Sequence, residues 1–350
     1  MDLFEEYLRQ GEPNKVEKAN DWKTAIGLQQ VDGLQPSDYL VDTARQNIEG
    51  TITIAEVKRR IDSYYEQRPT VDESLRTEEA DKVSARIAEI LSEKTFSFSP
   101  AEYLTIHRRL FQGLFLHAGK IRDYNITKKE WVLNGETVLY ASAESLMATL
   151  EYDFKQEKVF NYNGLSQQAV IEHLAHFIAN VWQIHPFGEG NTRTTAVFLI
   201  KYLRKLGFAK VTNNLFAEHA WYFRNALVRA NYEDLSKGIH KTDRFLILFF
   251  ENLLQLNRGE LKNREMHVQY SLPKNDTVND TVNDTVNDTV KSGADAVLDL
   301  IKQDNTLTAV DISQQLHISL STAKRRLKAL KEKGLLDRVG SDKTGVWRLL

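Results

Sequence analysis

Apolar residues recur at three- and four-residue spacing along most of this chain, while glycine and proline, 17 and 6 of 350 residues, are scarce. That period marks amphipathic helices, so the spacing predicts a mainly helical protein. Two clear runs are 171–184, IEHLAHFIANVWQI, and 194–207, TTAVFLIKYLRKLG; the second sets Ala196, Leu199, Ile200 and Leu203 on one face. One region breaks the pattern. Ile126 to Val132 and Thr137 to Leu139 favour strands, with Asn134-Gly135 between them. A type I′ turn needs positive φ at both central residues, so this segment, including Trp131, Val132 and Leu133, is expected to form a β-hairpin.

Residues 275–290 read NDTV four times in succession. Four residues are too few for a packed repeat unit, and Asn and Asp disfavour regular structure, so the stretch reads as a tether. Beyond it, helix-like runs at 294–303, 310–316 and 319–332 precede strand-like runs at 335–339 and 345–350, with Gly334 stopping the third helix. Three helices and a hairpin is the order of a winged helix-turn-helix. Domain limits follow: an N-terminal helical segment over 1–75, a helical core over 76–265, a linker over 266–292 and a separate winged helix over 293–350.

Composition narrows the class. Apolar residues are 42% and charged residues 27%, an ordinary globular balance, and a net charge of -2 leaves any basic site local. There is no cysteine, which excludes disulfides and thiolate metal sites. The N-terminus lacks the features of a signal peptide and no apolar run is long enough to span a bilayer, so a cytosolic protein is the expectation. The C-terminal module is basic. Residues 293–350 hold ten Lys/Arg against seven Asp/Glu, and Lys324, Arg325, Arg326 and Lys328 cluster on the third helix, where major-groove docking uses cations.

The chemistry concentrates at 185–193, HPFGEGNTR, between the two long helix-like runs. Pro186 ends the first helix, Gly188 and Gly190 let the backbone approach a ligand, and Asn191 and Thr192 open the second helix. A glycine-bearing loop feeding a helix N-terminus suits an anion. Glu189 is a hard oxygen ligand for Mg²⁺, Arg193 offers a fork for phosphate oxygens, and His185 suits proton abstraction near neutral pH. His173 and His176 with His185 form a three-histidine set on paper, but no HExxH pattern is present, and helix packing is the favoured reading of the first two.

This segment resembles the signature of Fic-domain proteins, HPFx[D/E]GN[G/K]RxxR. The resemblance implies an all-α core with a β-hairpin flap, ATP and Mg²⁺ as ligands, and transfer of AMP to a Ser, Thr or Tyr hydroxyl of a target protein or of the chain itself. By position, His185 is then the base, Phe187 a buried anchor and Glu189 the metal ligand, with Gly190, Asn191 and Arg193 on the phosphates. Thr192 stands where Gly or Lys is usual, and Ala196 replaces the second arginine.

Residues 119–140 resemble the Fic flap, which binds the target by strand addition, with Trp131, Val132 and Leu133 as its contact residues. Arg122 and Asn125 are assigned equally to ligand contact and to structure. Glu49-Gly50 resembles the family's inhibitory motif, [S/T]xxxE[G/N], with Arg45 at the Ser/Thr position. With Ala196 lacking a guanidinium, Glu49 is expected to pair with Arg193. Two other readings use the same chain: AMP removal or another nucleotidyl or phosphoryl donor on the same loop, and a DNA-binding regulator that senses nucleotide.

Overall fold

Helices begin in this chain where Ser, Thr or proline supplies a start. Ser37, Thr53, Ser99 and Ser166 each accept a hydrogen bond from the backbone N–H three residues on. The computed structural model describes residues 3–67, 72–208, 214–256 and 259–270, and in the C-terminal part 297–298, 300–302, 304–315, 327–328, 330–331, 335–339 and 346–349. The helices of the first part are α1 Glu5–Gln10, α2 Pro13–Gly27, α3 Asp38–Glu49, α4 Ile54–Glu66, α5 Asp72–Ser92 and α6 Pro100–Phe111, then α7 Leu146–Val159, α8 Gln167–Ile184, α9 Asn191–Lys205, α10 Asn214–Asn231 and α11 Arg244–Leu253.

The chain separates into two compact units, Met1–Leu272 and Pro273–Leu350. In the first, α9 is the central helix, and every residue from Asn191 to Leu203 is buried. It packs on α5, α6 and α8, while α2 packs on α5 and α10. Its apolar half meets an aromatic cluster: Phe198 lies 5.5 Å from Tyr103, 5.3 Å from Phe154 and 5.4 Å from Phe96, ring centre to ring centre. The polar residues of α9 are satisfied inside the fold. Thr194 Oγ1 donates to the Gly190 carbonyl (2.9 Å), Thr195 Oγ1 to that of Asn191 (2.9 Å), and Lys201 Nζ to that of Ile90 (3.0 Å).

The segment expected as a β-hairpin takes a different form. Asn134 and Gly135 do have positive φ, 55° and 87°, as the turn requires. The arms, however, make no strand ladder: Trp131–Leu133 winds into a 3-10 turn, and the Lys128 N–H bonds to the Thr137 side chain (3.1 Å) rather than to a facing carbonyl. The Val132 side chain is drawn into the core, which curls the chain inward.

In the second unit, α12 spans Ala309–Gln315 and two antiparallel strands, β1 Leu336–Val339 and β2 Val346–Leu349, pair with Leu336 opposite Leu349. Val297, Ile301, Ile312, Leu327, Leu330, Leu336 and Trp347 close a separate small core, and Trp347 Nε1 donates to the Leu307 carbonyl at 2.9 Å. Leu327 and Leu330 thus face inward as their spacing predicts, and Lys328 is exposed. Ala323, Lys324, Arg325, Arg326 and the NDTV stretch lie outside the described residues.

Candidate active site

The loop between α8 and α9 is shaped by one non-glycine residue in the left-handed region. His185 takes φ 51° and ψ 57° and ends α8, its N–H bonding to the Trp182 carbonyl at 3.1 Å. A side chain there is strained by about 1–2 kcal/mol relative to the right-handed form. Arg122 holds the turn: Nε donates to the His185 carbonyl (2.8 Å), its own N–H donates to the Pro186 carbonyl (2.9 Å), and Nη2 reaches the Ala141 carbonyl (2.6 Å). Its guanidinium is therefore a clamp on the loop. Asn125 is structural too, accepting from the Ala143 N–H at 2.9 Å.

The imidazole of His185 is oriented by its neighbours. Nδ1 lies 3.1 Å from the Trp182 carbonyl, an acceptor only, so Nδ1 carries the proton and Nε2 keeps the lone pair. Tyr140 stacks beside the ring at 4.2 Å and the residue is 3% exposed. Burial holds its pKa well below the ordinary histidine value, and the charges of Lys128, Arg224 and Arg122 push the same way. The ring is accordingly neutral at pH 7, as a proton acceptor must be.

The loop is closed from within. Asn191 Oδ1 accepts from the Phe187 N–H (3.0 Å) and Nδ2 donates to the Phe187 carbonyl (2.7 Å). Thr192 Oγ1 accepts from Trp182 Nε1 (3.0 Å), tying α9 to α8. Gly190 has φ 77°, and a Cβ there would lie 2.3 Å from the Phe111 ring. At Gly188 a Cβ would lie 2.6 Å from the Tyr124 hydroxyl. Gly190 brings no side chain to cap α9, which leaves the first backbone N–H groups of α9 to an anion.

Arg193 is the main departure from expectation. Its side chain, 2% exposed, does not face the loop's anion space. Nη1 donates to Gln29 Oε1 (3.0 Å), Nη2 to Glu79 Oε1 (2.6 Å), Nε lies 2.8 Å from Asp32 Oδ2, and the guanidinium sits 4.8 Å over the Phe111 ring. Two carboxylates already compensate its charge, so it is not a free fork for phosphate. Glu49 is not its partner either: Glu49 Oε2 is 2.8 Å from Lys15 Nζ near the start of α2. The helical run from Lys15 to Gln29 spans roughly 20 Å at 1.5 Å per residue, which removes Glu49 from the phosphate loop.

Glu189 does face outward, its side chain 60% exposed, and Lys128 Nζ lies 3.1 Å from Oε2. Lys128 stands in the flap segment, in a run without any motif, and nothing in its spacing marks it. His107 on α6 was equally hidden. Its Nε2 donates to the Glu189 carbonyl (3.0 Å), Nδ1 accepts from the Gly119 N–H (2.8 Å), and its ring stacks on Phe187 at 3.6 Å. Burial lowers its pKa to about 3. Of the expected flap contacts, Trp131 is 38% exposed, whereas Val132 and Leu133 are buried and the Val132 carbonyl is taken by the Val268 N–H (2.8 Å). The Val132–Leu133 edge therefore offers no side chain to a target. His173 Nε2 bonds to Glu157 (2.6 Å) and His176 lies 3.7 Å from Asp243, so neither joins His185.

Two outcomes follow. Arg193→Met leaves Asp32 and Glu79 without their cation and is expected to lower the stability of the first unit by about 3 kcal/mol, read by urea unfolding. His107, protonated in the unfolded chain below 6.5 but in the folded chain only below about 3, contributes stability that is full above pH 6.5 and is lost as pH falls toward 3. Relative to His107→Gln, the wild type should therefore lose up to about 1.4 kcal/mol per pH unit across that window, measured by urea midpoints at pH 7, 5.5 and 4.

Residues 97–203 match the model of the Fic/DOC family, and residues 296–337 match a model described as winged helix-turn-helix DNA-binding. The chain is similar to the probable protein adenylyltransferase y4lH of Sinorhizobium fredii, 29% identical over 153 residues, which are 43% of this chain and 74% of that protein. It is also similar to the protein adenylyltransferase VbhT of Bartonella schoenbuchensis, 27% identical over 103 residues; these span 29% of this chain and only a fifth of VbhT, 20%. A solved Fic family protein from Desulfovibrio desulfuricans G20 superposes with a TM-score of 0.43 at 14% identity, over 99% of this chain and 90% of that one. No helix among the described residues is long and apolar enough to cross a membrane. With HPFGEGNTR at the join of α8 and α9 inside the matched region, the chain carries a Fic/DOC-family domain and, C-terminal to it, a winged helix-turn-helix.

Proposed function

We propose that this chain is a protein adenylyltransferase, moving AMP from ATP onto the hydroxyl of a protein side chain. The observation that carries the reading is the neutral His185 with its proton on Nδ1, on the loop that leads into the uncapped N-terminus of α9. In the proposed step the acceptor oxygen forms a bond to the α-phosphorus, the bond to the pyrophosphate oxygen breaks, and the acceptor's proton passes to Nε2 of His185. The Trp182 carbonyl steadies the imidazolium that results. Main-chain N–H groups of the loop and of α9 hold the phosphates, since Asn191, Thr192 and Arg193 are turned inward.

The names of the two relatives support adenylyl rather than phosphoryl transfer. A magnesium ion fits the donor set: Glu189 is a single exposed carboxylate, and Mg²⁺ takes one or two carboxylates with phosphate oxygens and water. Glu189 is the residue that would hold it, after Lys128 releases the carboxylate, and the ion would neutralise charge on the phosphates. His185 is nearly sealed, so the acceptor reaches Nε2 when the flap segment moves aside. That segment is anchored by Glu130, whose carboxylate takes both bonds from Arg224 Nη2, 3.0 and 2.9 Å.

The test is label transfer from ATP carrying ³²P at the α position, with candidate target proteins and with the chain alone. His185→Ala is expected to reduce the rate by on the order of 10²-fold or more. Glu49→Gly is expected to leave it unchanged, because Glu49 pairs with Lys15. Transfer that survives His185→Ala would overturn the assignment of the base, and label delivered only from the γ position would make the reaction a phosphoryl transfer.

A second proposal concerns the C-terminal module, which the match to a DNA-binding family supports: it binds duplex DNA through its basic third helix. Fluorescence anisotropy should show affinity falling steeply with salt, and Lys324→Ala with Arg325→Ala should weaken it and flatten the salt slope by about two units. Affinity indifferent to these substitutions would count against that helix as the docking element.

A further inference from the structure

A cleft of about 830 Å³ opens in the first unit between the end of α10, the start of α11 and the stretch 265–270 that backs the flap. Two arginines line it, Arg229 and Arg244, and the charge of Arg244 is close enough to bear on Arg229. Neither forms an ion pair with a carboxylate among the described residues. Arg229 Nε and Nη1 are sealed from solvent with no hydrogen-bond partner, which leaves Nη2 to meet whatever enters. The exposed Arg244 guanidinium lies over the face of Phe245, at 4.4 Å to the ring centre. Glu251 and Glu265 also line the cleft.

Such an arrangement is costly unless something compensates it. Arg244 is exposed, but Arg229 is half-buried with two sealed nitrogens that have no acceptor, and the neighbouring guanidinium charges repel each other until an anion joins them. A further feature points the same way. Helix α11 starts at Arg244, a lining residue of the cleft, and Asp243 makes no side-chain cap there, so the first N–H groups of α11 gain no acceptor from it. The Asp243 carboxylate instead lies 3.7 Å from His176. Ile239, Leu248 and Met266 give the cleft an apolar wall beside Glu251 and Glu265. Two guanidiniums next to an apolar wall fit a small organic anion.

We propose that this cleft is a binding site for an organic oxyanion, a carboxylate or phosphate on an apolar body, held by Arg244, Arg229 Nη2 and the N-terminus of α11. The site is separate from the phosphate loop and does not depend on the transfer reaction. It shares a wall with the flap, since the His267 ring lies 5.1 Å from Trp131 and the Val268 N–H bonds to the Val132 carbonyl.

The experiment is calorimetric titration of the full chain, in a buffer free of phosphate and carboxylate, with inorganic phosphate, phenyl phosphate and benzoate. Phenyl phosphate or benzoate is expected to bind, and Arg244→Met to weaken that binding at least tenfold; which of the two binds more tightly identifies the headgroup. Arg244 is not part of the phosphate loop, so anion uptake by the loop would survive that substitution. As a second measurement, Arg229→Met should raise the unfolding midpoint in the anion-free buffer, because it removes a half-buried guanidinium with two sealed nitrogens that lack an acceptor. No binding by either aromatic anion, binding indifferent to Arg244→Met, or a lowered midpoint in Arg229→Met would each overturn the proposal.

Discussion

The guanidinium of Arg193, held between Gln29, Asp32 and Glu79 and laid over the ring of Phe111, joins four stretches of chain at the first turn of α9. It is the join on which the rest of the first unit depends. A helix whose whole first turn is buried has to satisfy polar side chains that water would otherwise take, and here Gln29 and Asp32 of the N-terminal segment and Glu79 of α5 supply the acceptors. The N-terminal residues are thus part of the same core as the Fic/DOC region: α2 packs on α5 and α10, and the turn after α2 delivers Gln29 and Asp32 to the loop helix.

With that helix fixed, the loop before it is held by contacts made from its two sides. Asn191 folds back on Phe187, Arg122 holds the His185 and Pro186 carbonyls, and His107 carries the Glu189 carbonyl. Each of these groups is a polar side chain used to position backbone, so the loop presents main-chain N–H groups to the ligand space and keeps most of its side chains out of it. The two that remain for chemistry differ in exposure. His185 is buried and neutral, suited to accept a proton, while Glu189 stands in solvent against Lys128.

The flap is governed by the same logic. Its turn is set by positive φ at Asn134 and Gly135, but its position is set by Glu130 on Arg224 and by Val132 in the core. The anchors belong to α10, through Arg224, and to the stretch 265–270, through Val268.

Much of the site was legible in the order of residues. Helical period, the Pro186 break, the glycines at 188 and 190, and the inward Leu327 and Leu330 all follow from local rules of backbone geometry and amphipathic spacing. These are properties of neighbours in sequence, and a sequence displays neighbours. Where side chains point was another matter. Arg193 matches a phosphate-binding position, yet its fate was decided by Asp32 and Glu79, more than a hundred residues earlier. Glu49 matched a motif but found Lys15, and Val132 and Leu133 turned inward because burial outweighed strand pairing. His107 and Lys128 gave no signal, since their roles arise from contacts 82 and 61 residues away. Sequence alone determined the helices, the turns and the loop's reactive residue types; the pairing of distant charges, which depends on what the folded chain brings within reach, was decided by the tertiary structure.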